Sequence, residues 1–391
     1  MNQTLIASLV LSFIIAAGFM LMREEAKSDV PCPDCNVILI TVDTLRADYF
    51  NESTAPGIHG FFSTGTFFTN AHSSSPCTNP SVQQILYSRY SDHQDHEPIA
   101  QFLNASGYET AAFLSQHQFG FMEAPKYIYM KGFETYNLQN NSQQDRHGMT
   151  TRTAGEVTDL AINWLGENTD EKFFLWLHYF DPHDPYQPPQ GNLKPPEGIE
   201  DGDARSYLKN RGDGDVNWDE NVGVFNREQN QYFRSQYVQE IRYLDAQVSR
   251  LFKEIEELGL EGETIIVFTS DHGEQLGEGE YWNHCITLHE RETWVPFMIM
   301  SGGKGLDERT LSSPASTIDA YPTIIRLLGL QVPAGLNGKD LTGNNSGCVK
   351  SYWKGEKAAY TGKWKLWIDG EGKENLIEIQ GHAGGVKDYR S

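Results

Sequence analysis

Two apolar segments of this chain each end on a carboxylate. The first, Asn36-Val37-Ile38-Leu39-Ile40-Thr41-Val42, runs into Asp43. The second, Thr264-Ile265-Ile266-Val267-Phe268-Thr269, runs through Ser270 into Asp271-His272-Gly273-Glu274. A buried strand has no structural need for charge at its exit. In parallel α/β sheets the crevice beyond the strand C-termini is where ligands bind. Carboxylate oxygens from Asp43 and Asp271, with one imidazole from His272, form a donor set for a hard divalent cation such as Ca²⁺, Mn²⁺, Mg²⁺ or Zn²⁺.

The segments around these residues must place both strand ends together. A helix is expected from Pro98 to Gly107, with Pro near its first turn and Gly past its last, and then a strand over Glu109–Leu114. Ala154, Val157, Ala161 and Trp164 recur at helical spacing within 153–165, and Phe173–Leu177 reads as a buried strand ending at His178. The strongest helical pattern is Tyr237, Ile241, Leu244, Val248, Leu251, Ile255 and Leu258, closed by Gly259. Residues 295–300 read as a strand, and Pro296 within it suggests an edge position. A helix over 318–328 and a final strand or hairpin over 358–369 follow, and the Pro-, Gly- and Asp-rich stretch 182–222 reads as a long surface loop. Alternating strands and helices predict an α/β fold: a large, mainly parallel sheet with helices on both faces over 36–345, then a short C-terminal β element over 346–391. No linker separates two independent cores.

The formal charge of -22 argues against nucleic acid as a partner and fits an extracellular or salt-adapted surface. An anionic substrate would need a local positive charge, such as a metal, to enter. Residues 5–22 carry no charge, so 1–27 reads as a signal anchor or signal peptide. The remainder would then be membrane-anchored or secreted, with its site outside the cytoplasm. Cys32-Pro-Asp-Cys35 has no partner pair at zinc-ligand spacing; a local disulfide and an unpaired structural role both remain open.

Seven ordered motifs carry a resemblance over roughly 36–370. They are the run Asn36 to Asp48; Pro80-Ser81 with Ile85-Leu86; Gly107 to Ala112; His178-Tyr-Phe-Asp-Pro-His-Asp-Pro-Tyr186; Ser270-Asp-His-Gly-Glu274; Trp282-Asn283-His284; and Asp319-Ala-Tyr-Pro-Thr323. In this order and spacing the chain resembles the sulfatase family of the alkaline-phosphatase superfamily. The resemblance implies that fold, and one divalent cation, Ca²⁺ foremost, held by Asp43, Asp271 and His272. Thr44 stands where many members have a second Asp. Aligned from Pro80-Ser81, the nucleophile position is Thr78; Cys77 falls one residue too early, and Val82 replaces the family arginine. No formylglycine is therefore expected. Thr78 would attack directly, or would serve only as the N-cap of a helix through 82–86. His183 matches the histidine that protonates the leaving oxygen, with His178 as a substitute. His284 stands where many members place a lysine, and His117 is a further candidate. Lys363 and Lys365 would be substrate contacts or, the favoured reading, part of a solvated strand face.

These readings predict a metal-dependent hydrolase that cleaves sulfate or phosphate esters of a glycan, lipid or small molecule by in-line displacement. The alternatives are a membrane-anchored phosphoalcohol transferase and a catalytically inactive, sulfatase-shaped binding protein.

Overall fold

A computed structural model of the protein describes residues 32–91, 93, 95–115, 128–138, 151–199, 204, 225–302, 306, 309–343 and 347–379. The apolar run 5–22, His117 and most of 200–224 lie outside the described residues. Among the described residues no helix is long and apolar enough to cross a membrane.

The elements, in chain order, are β1 (Asn36–Val42), α1 (Pro56–Phe61), β2 (Thr66–Phe68), β3 (Ala71–His72), α2 (Thr78–Tyr87), α3 (Ile99–Ala105), β4 (Glu109–Leu114) and β5 (Thr135–Asn137). There follow α4 (Ala154–Leu165), β6 (Phe173–Tyr179), α5 (Arg227–Glu257), β7 (Thr264–Ser270), β8 (Gln275–Leu276), β9 (Trp282–Asn283), α6 (Glu290–Thr293), β10 (Phe297–Ser301), β11 (Arg309–Leu311) and β12 (Ala315–Ser316). The chain continues through α7 (Ala320–Leu327), β13 (Val349–Trp353), β14 (Glu356–Thr361), β15 (Trp364–Ile368) and β16 (Glu374–Glu378).

Eight strands form the main sheet in the order β11-β2-β10-β7-β1-β6-β4-β5. The centre is parallel: β1 lies between β7 and β6. All seven residues of β1 are buried, because helices cover both faces. Ile38, Ile40 and Val42 point to the side packed by α4 and α5, where Val157, Tyr237, Ile241, Leu244 and Val248 meet them. Val37 and Leu39 point to the side packed by α2 and α7, through Val82, Ile85, Ile324 and Ile325. A strand buried on both faces has no polar alternation, which is why it reads as an unbroken apolar run.

The expected strands and helices form among the described residues, and several short elements add to them; three departures matter most. Helix α5 starts ten residues before Tyr237, since Asn226 and Gln229 build a reciprocal capping box ahead of its polar first turns. The stretch after β1, which carried no expected element, holds α1, β2 and β3. Strand β10 is internal rather than an edge, antiparallel to both β7 and β2. Pro296 precedes it, so its missing N–H breaks no rung of the ladder, and its carbonyl accepts the Thr269 hydroxyl at 2.9 Å.

The C-terminal strands β13 to β16 form a separate antiparallel sheet. It docks through a buried ion pair: Lys365 Nζ lies 2.8 Å from Glu290 Oε1 and also donates to the Leu288 carbonyl. This corrects the expectation for Lys365, whose side chain is 1% exposed. Lys363 does face solvent, beside Glu378.

Candidate active site

Register sets the site. Val42 is level with Ser270 across the β1–β7 pair, so the next residues, Asp43 and Asp271, leave their strands side by side. The ladder extends one step further: Asp271 N–H donates to Val42 O at 3.1 Å, and Asp43 N–H donates to Tyr179 O at 2.9 Å. Both carboxylates are fully buried, as is His272. One donor atom from each of the three lies within 4.8 Å of the others.

His272 is prepared as a neutral donor. Its Nδ1–H donates to the Gly273 carbonyl at 2.8 Å, which turns Nε2 toward Asp43 Oδ1 at 3.6 Å and Asp271 Oδ2 at 3.7 Å. Burial, and then the neighbouring His284, hold its pKa well below the ordinary imidazole value. Burial also pushes Asp271 well above the carboxylate range, and the charge of Asp43 adds to this. Asp271 Oδ1 accepts N–H from His272 at 2.7 Å and from Thr44 at 3.3 Å, while Oδ2 accepts no hydrogen bond among the described residues. Two buried acids beside a neutral imidazole need a cation to compensate them, and an acid–acid–imidazole donor set suits one. The residues therefore fit the divalent ion expected from the sequence.

Thr44 turns the chain out of β1 at φ 59°, rare for a β-branched residue, and its carbonyl accepts the Tyr237 hydroxyl at 2.8 Å. The Gly273 position needs glycine, since a Cβ there would collide with the Arg291 carbonyl oxygen.

Thr78 is the first residue of α2, and the N-cap is Cys77, so Thr78 does not fill the alternative role of side-chain cap. Its hydroxyl lies 3.1 Å from His272 Nε2. Helix α2 is anchored against β7 by Ser81, whose hydroxyl donates to the Asp271 carbonyl at 2.5 Å. A helix N-terminus aimed at an anion site adds favourable dipole and N–H groups.

Two more histidines close on this group. The His284 ring is 4.6 Å from that of His272, and the His183 ring is 5.0 Å from that of His284. Each is paired through Nδ1 with a buried carboxylate: His284 with Glu274 at 3.0 Å, and His183 with Asp184 at 2.8 Å. Such pairing fixes ring orientation and tautomer. Sequence reasoning assigned Glu274 and Asp184 no role. The only available signal was their nearness to motif histidines, which does not reveal contact.

His178 lies within the sheet at the end of β6, level with Thr41, whose hydroxyl is 2.8 Å from its Nδ1. Burial, and then the nearby His272 and His183, lower its pKa to about 3.

Two disulfides are present. Cys32 pairs with Cys35, one of the two options left open by the spacing. Cys77 pairs with Cys285. The second bridge was not anticipated, and it leaves Cys77 without a free thiol for conversion to an aldehyde.

A family profile described as Sulfatase matches residues 35–330. The chain is 26% identical over 247 residues to an arylsulfatase of Clostridium perfringens, covering 57% of this chain and 50% of that protein. It spans about half the length of the curated relatives it matches. Among solved structures it is similar to a phosphonate monoester hydrolase from Silicibacter pomeroyi, with TM-score 0.67, 19% identity and 89% of each chain covered. It is similar at the same TM-score, with 16% identity, to a protein solved with its substrate D-glucosamine-2-N,6-O-disulfate; 89% of this chain and 91% of that one are covered.

Proposed function

The chain belongs to the sulfatase family, and from that premise we propose that it is a metal-dependent hydrolase of sulfate or phosphorus esters in which Thr78 is the nucleophile. One observation carries this reading: the Thr78 hydroxyl touches His272 inside the buried Asp43–Asp271–His272 donor set. A divalent cation held there supplies charge to neutralise the ester's anionic oxygens and to acidify a neighbouring hydroxyl.

The chain's own residues supply the rest. Thr78 Oγ1 would lose its proton to solvent and attack sulfur or phosphorus in line as the bond to the leaving oxygen breaks; water would then displace Thr78 from the resulting ester, and Oγ1 would regain a proton. His183, fixed through Nδ1 by Asp184, has its other ring nitrogen available to protonate the leaving oxygen. His284, held by the Glu274 carboxylate, contributes positive charge beside the transferred group when protonated. His178, buried and close enough to His183 for the two rings to influence each other's charge, is the substitute for it as the proton donor.

The departures from the family pattern at 44, 78 and 82 favour a substrate that does not need a hydrated aldehyde nucleophile. Named relatives act on both kinds of centre, so the substrate panel must include both. Aryl sulfate, phosphate monoester, phosphodiester and phosphonate monoester are assayed with and without chelator. The parent is compared with Thr78→Ala and Thr78→Ser. The reading requires loss in chelator, loss in Thr78→Ala and partial retention in Thr78→Ser. Parental turnover by Thr78→Ala would refute it.

A further inference from the structure

We infer that the Cys77–Cys285 disulfide is a positioning element of this site, fixing the separation of Thr78 and His284. The inference rests on the reading of Thr78 above. Cys77 immediately precedes Thr78, and Cys285 immediately follows His284. The two half-cystines are separated by 208 residues in sequence and their Cα atoms lie 4.7 Å apart. One belongs to the N-terminus of α2, the other to the loop after β9.

That loop has an unusual backbone. Asn283 and Cys285, the two neighbours of His284, sit at φ 94° and 61°, and neither is glycine. Such conformations persist only where the surroundings over-determine them. Several fasteners do so. Asn283 Oδ1 accepts the His284 N–H at 2.9 Å. The buried Glu292 carboxylate accepts N–H from Ile286 at 2.9 Å. Glu356 accepts the Leu288 N–H at 3.0 Å and the Thr287 hydroxyl at 2.8 Å. The Trp353 indole donates to the Cys285 carbonyl at 3.0 Å.

These contacts hold the loop to itself, to α6 and to the C-terminal sheet. Of the contacts named, the ones that reach the start of α2 are the disulfide and a single main-chain bond, Cys285 N–H to Pro76 O at 2.9 Å. Helix α2 is itself held to the end of β7, by Ser81 on the Asp271 carbonyl and by Thr78 on His272. The loop would therefore keep its local form without the bridge. What the bridge adds is a covalent limit on how far Thr78 and His284 can separate. The cation ligands belong to neither bridged segment, so their site should survive its loss.

The test compares Cys77→Ser/Cys285→Ser with the parent, with Cys32→Ser/Cys35→Ser as a disulfide-loss control, and with Thr78→Ala. The expected result is a kcat about 100-fold lower in the first variant, the scale of an ångström-sized misplacement, with KM little changed. Its circular dichroism and its Ca²⁺-induced rise in melting temperature should match the parent. The control should keep parental kcat. A folded Cys77→Ser/Cys285→Ser protein with parental kcat would overturn the inference while leaving Thr78→Ala to judge the nucleophile separately. A joint loss of kcat and of the Ca²⁺ response would overturn it too, by showing a general structural role. Parental activity in Thr78→Ala would instead remove the reading on which it rests. If the double serine variant does not fold, the Cys32→Ser/Cys35→Ser protein is reduced natively with a trialkylphosphine and then reoxidised. A reversible fall in kcat at constant circular dichroism supports the inference, and unchanged kcat refutes it.

Discussion

Asp271→Asn tests the cation site through stability alone, without a substrate. An asparagine carbonyl can still accept the His272 and Thr44 N–H groups that Asp271 Oδ1 accepts. The change then falls on Oδ2, which faces His272 near Asp43. Donor atoms of the two acids lie within 4.8 Å. Two unit charges at that separation repel by about 3 kcal/mol at an effective dielectric of 20. In chelator, Asp271→Asn should therefore be the more stable protein, by up to about 3 kcal/mol, a rise of a few degrees in Tm. The sign with pH follows from the raised native pKa of Asp271. The parent loses stability as pH rises above the unfolded carboxyl value near 4, so the advantage of the variant grows from pH 5 to pH 8. With Ca²⁺ at a hundredfold excess over Kd, the parent should gain about 2.7 kcal/mol and the variant little, which removes most of the variant's advantage. Calorimetry of both proteins, with and without Ca²⁺, reads this directly. A variant less stable than the parent in chelator, or one with an undiminished Ca²⁺ response, would refute the reasoning.

His183→Asn should lower kcat by about 10²- to 10⁴-fold on alkyl esters and less on esters of acidic phenols, whose leaving groups need no proton; equal losses on both would remove His183 from that role. Lys365→Met leaves the buried Glu290 with only the half-buried His289 beside it and should cost about 3–5 kcal/mol, largely restored by adding Glu290→Gln; an unchanged denaturation midpoint would contradict the buried pair. Burial raises the pKa of Asp181, and burial together with the Asp181 charge raises that of Glu240. Both bind protons more tightly folded than unfolded, so stability is full below about pH 4 and declines as pH rises from there. Asp181→Asn should flatten the fall of Tm between pH 5 and pH 8, and an unaltered slope would count against the assignment.

The centre of the fold was legible because β1, β6 and β7 are buried on both faces and so must be apolar throughout. The acids that end β1 and β7 stand out for the same reason. The partners of the histidines were not legible. Nothing in the order Glu274 to His284 tells that the carboxylate folds back onto the ring, and the Cys77–Cys285 bridge spans 208 residues with no motif spacing to reveal it. Lys365 was misjudged because the alternation of β15 runs against expectation. Trp364 and Leu366 are 39% and 38% exposed, while the lysine between them turns inward to Glu290. A distant acid decided which face was buried. Pro296 misled in a simpler way, by sitting one residue before its strand.

The placement of β1 between β6 and β7 bears on how the protein is made. Its three neighbouring strand ends come from the beginning, the middle and the later part of the chain, and among the described residues Asp43 meets the rest of the candidate donor set only when Asp271 and His272 emerge. An ion captured at this site stabilises only a sheet whose seventh strand is already in register. During synthesis the cation would act as a latch that closes after the central strands have aligned. A chain stopped before residue 272 would have no means of closing it, so ion uptake by the nascent protein would report completion of the sheet.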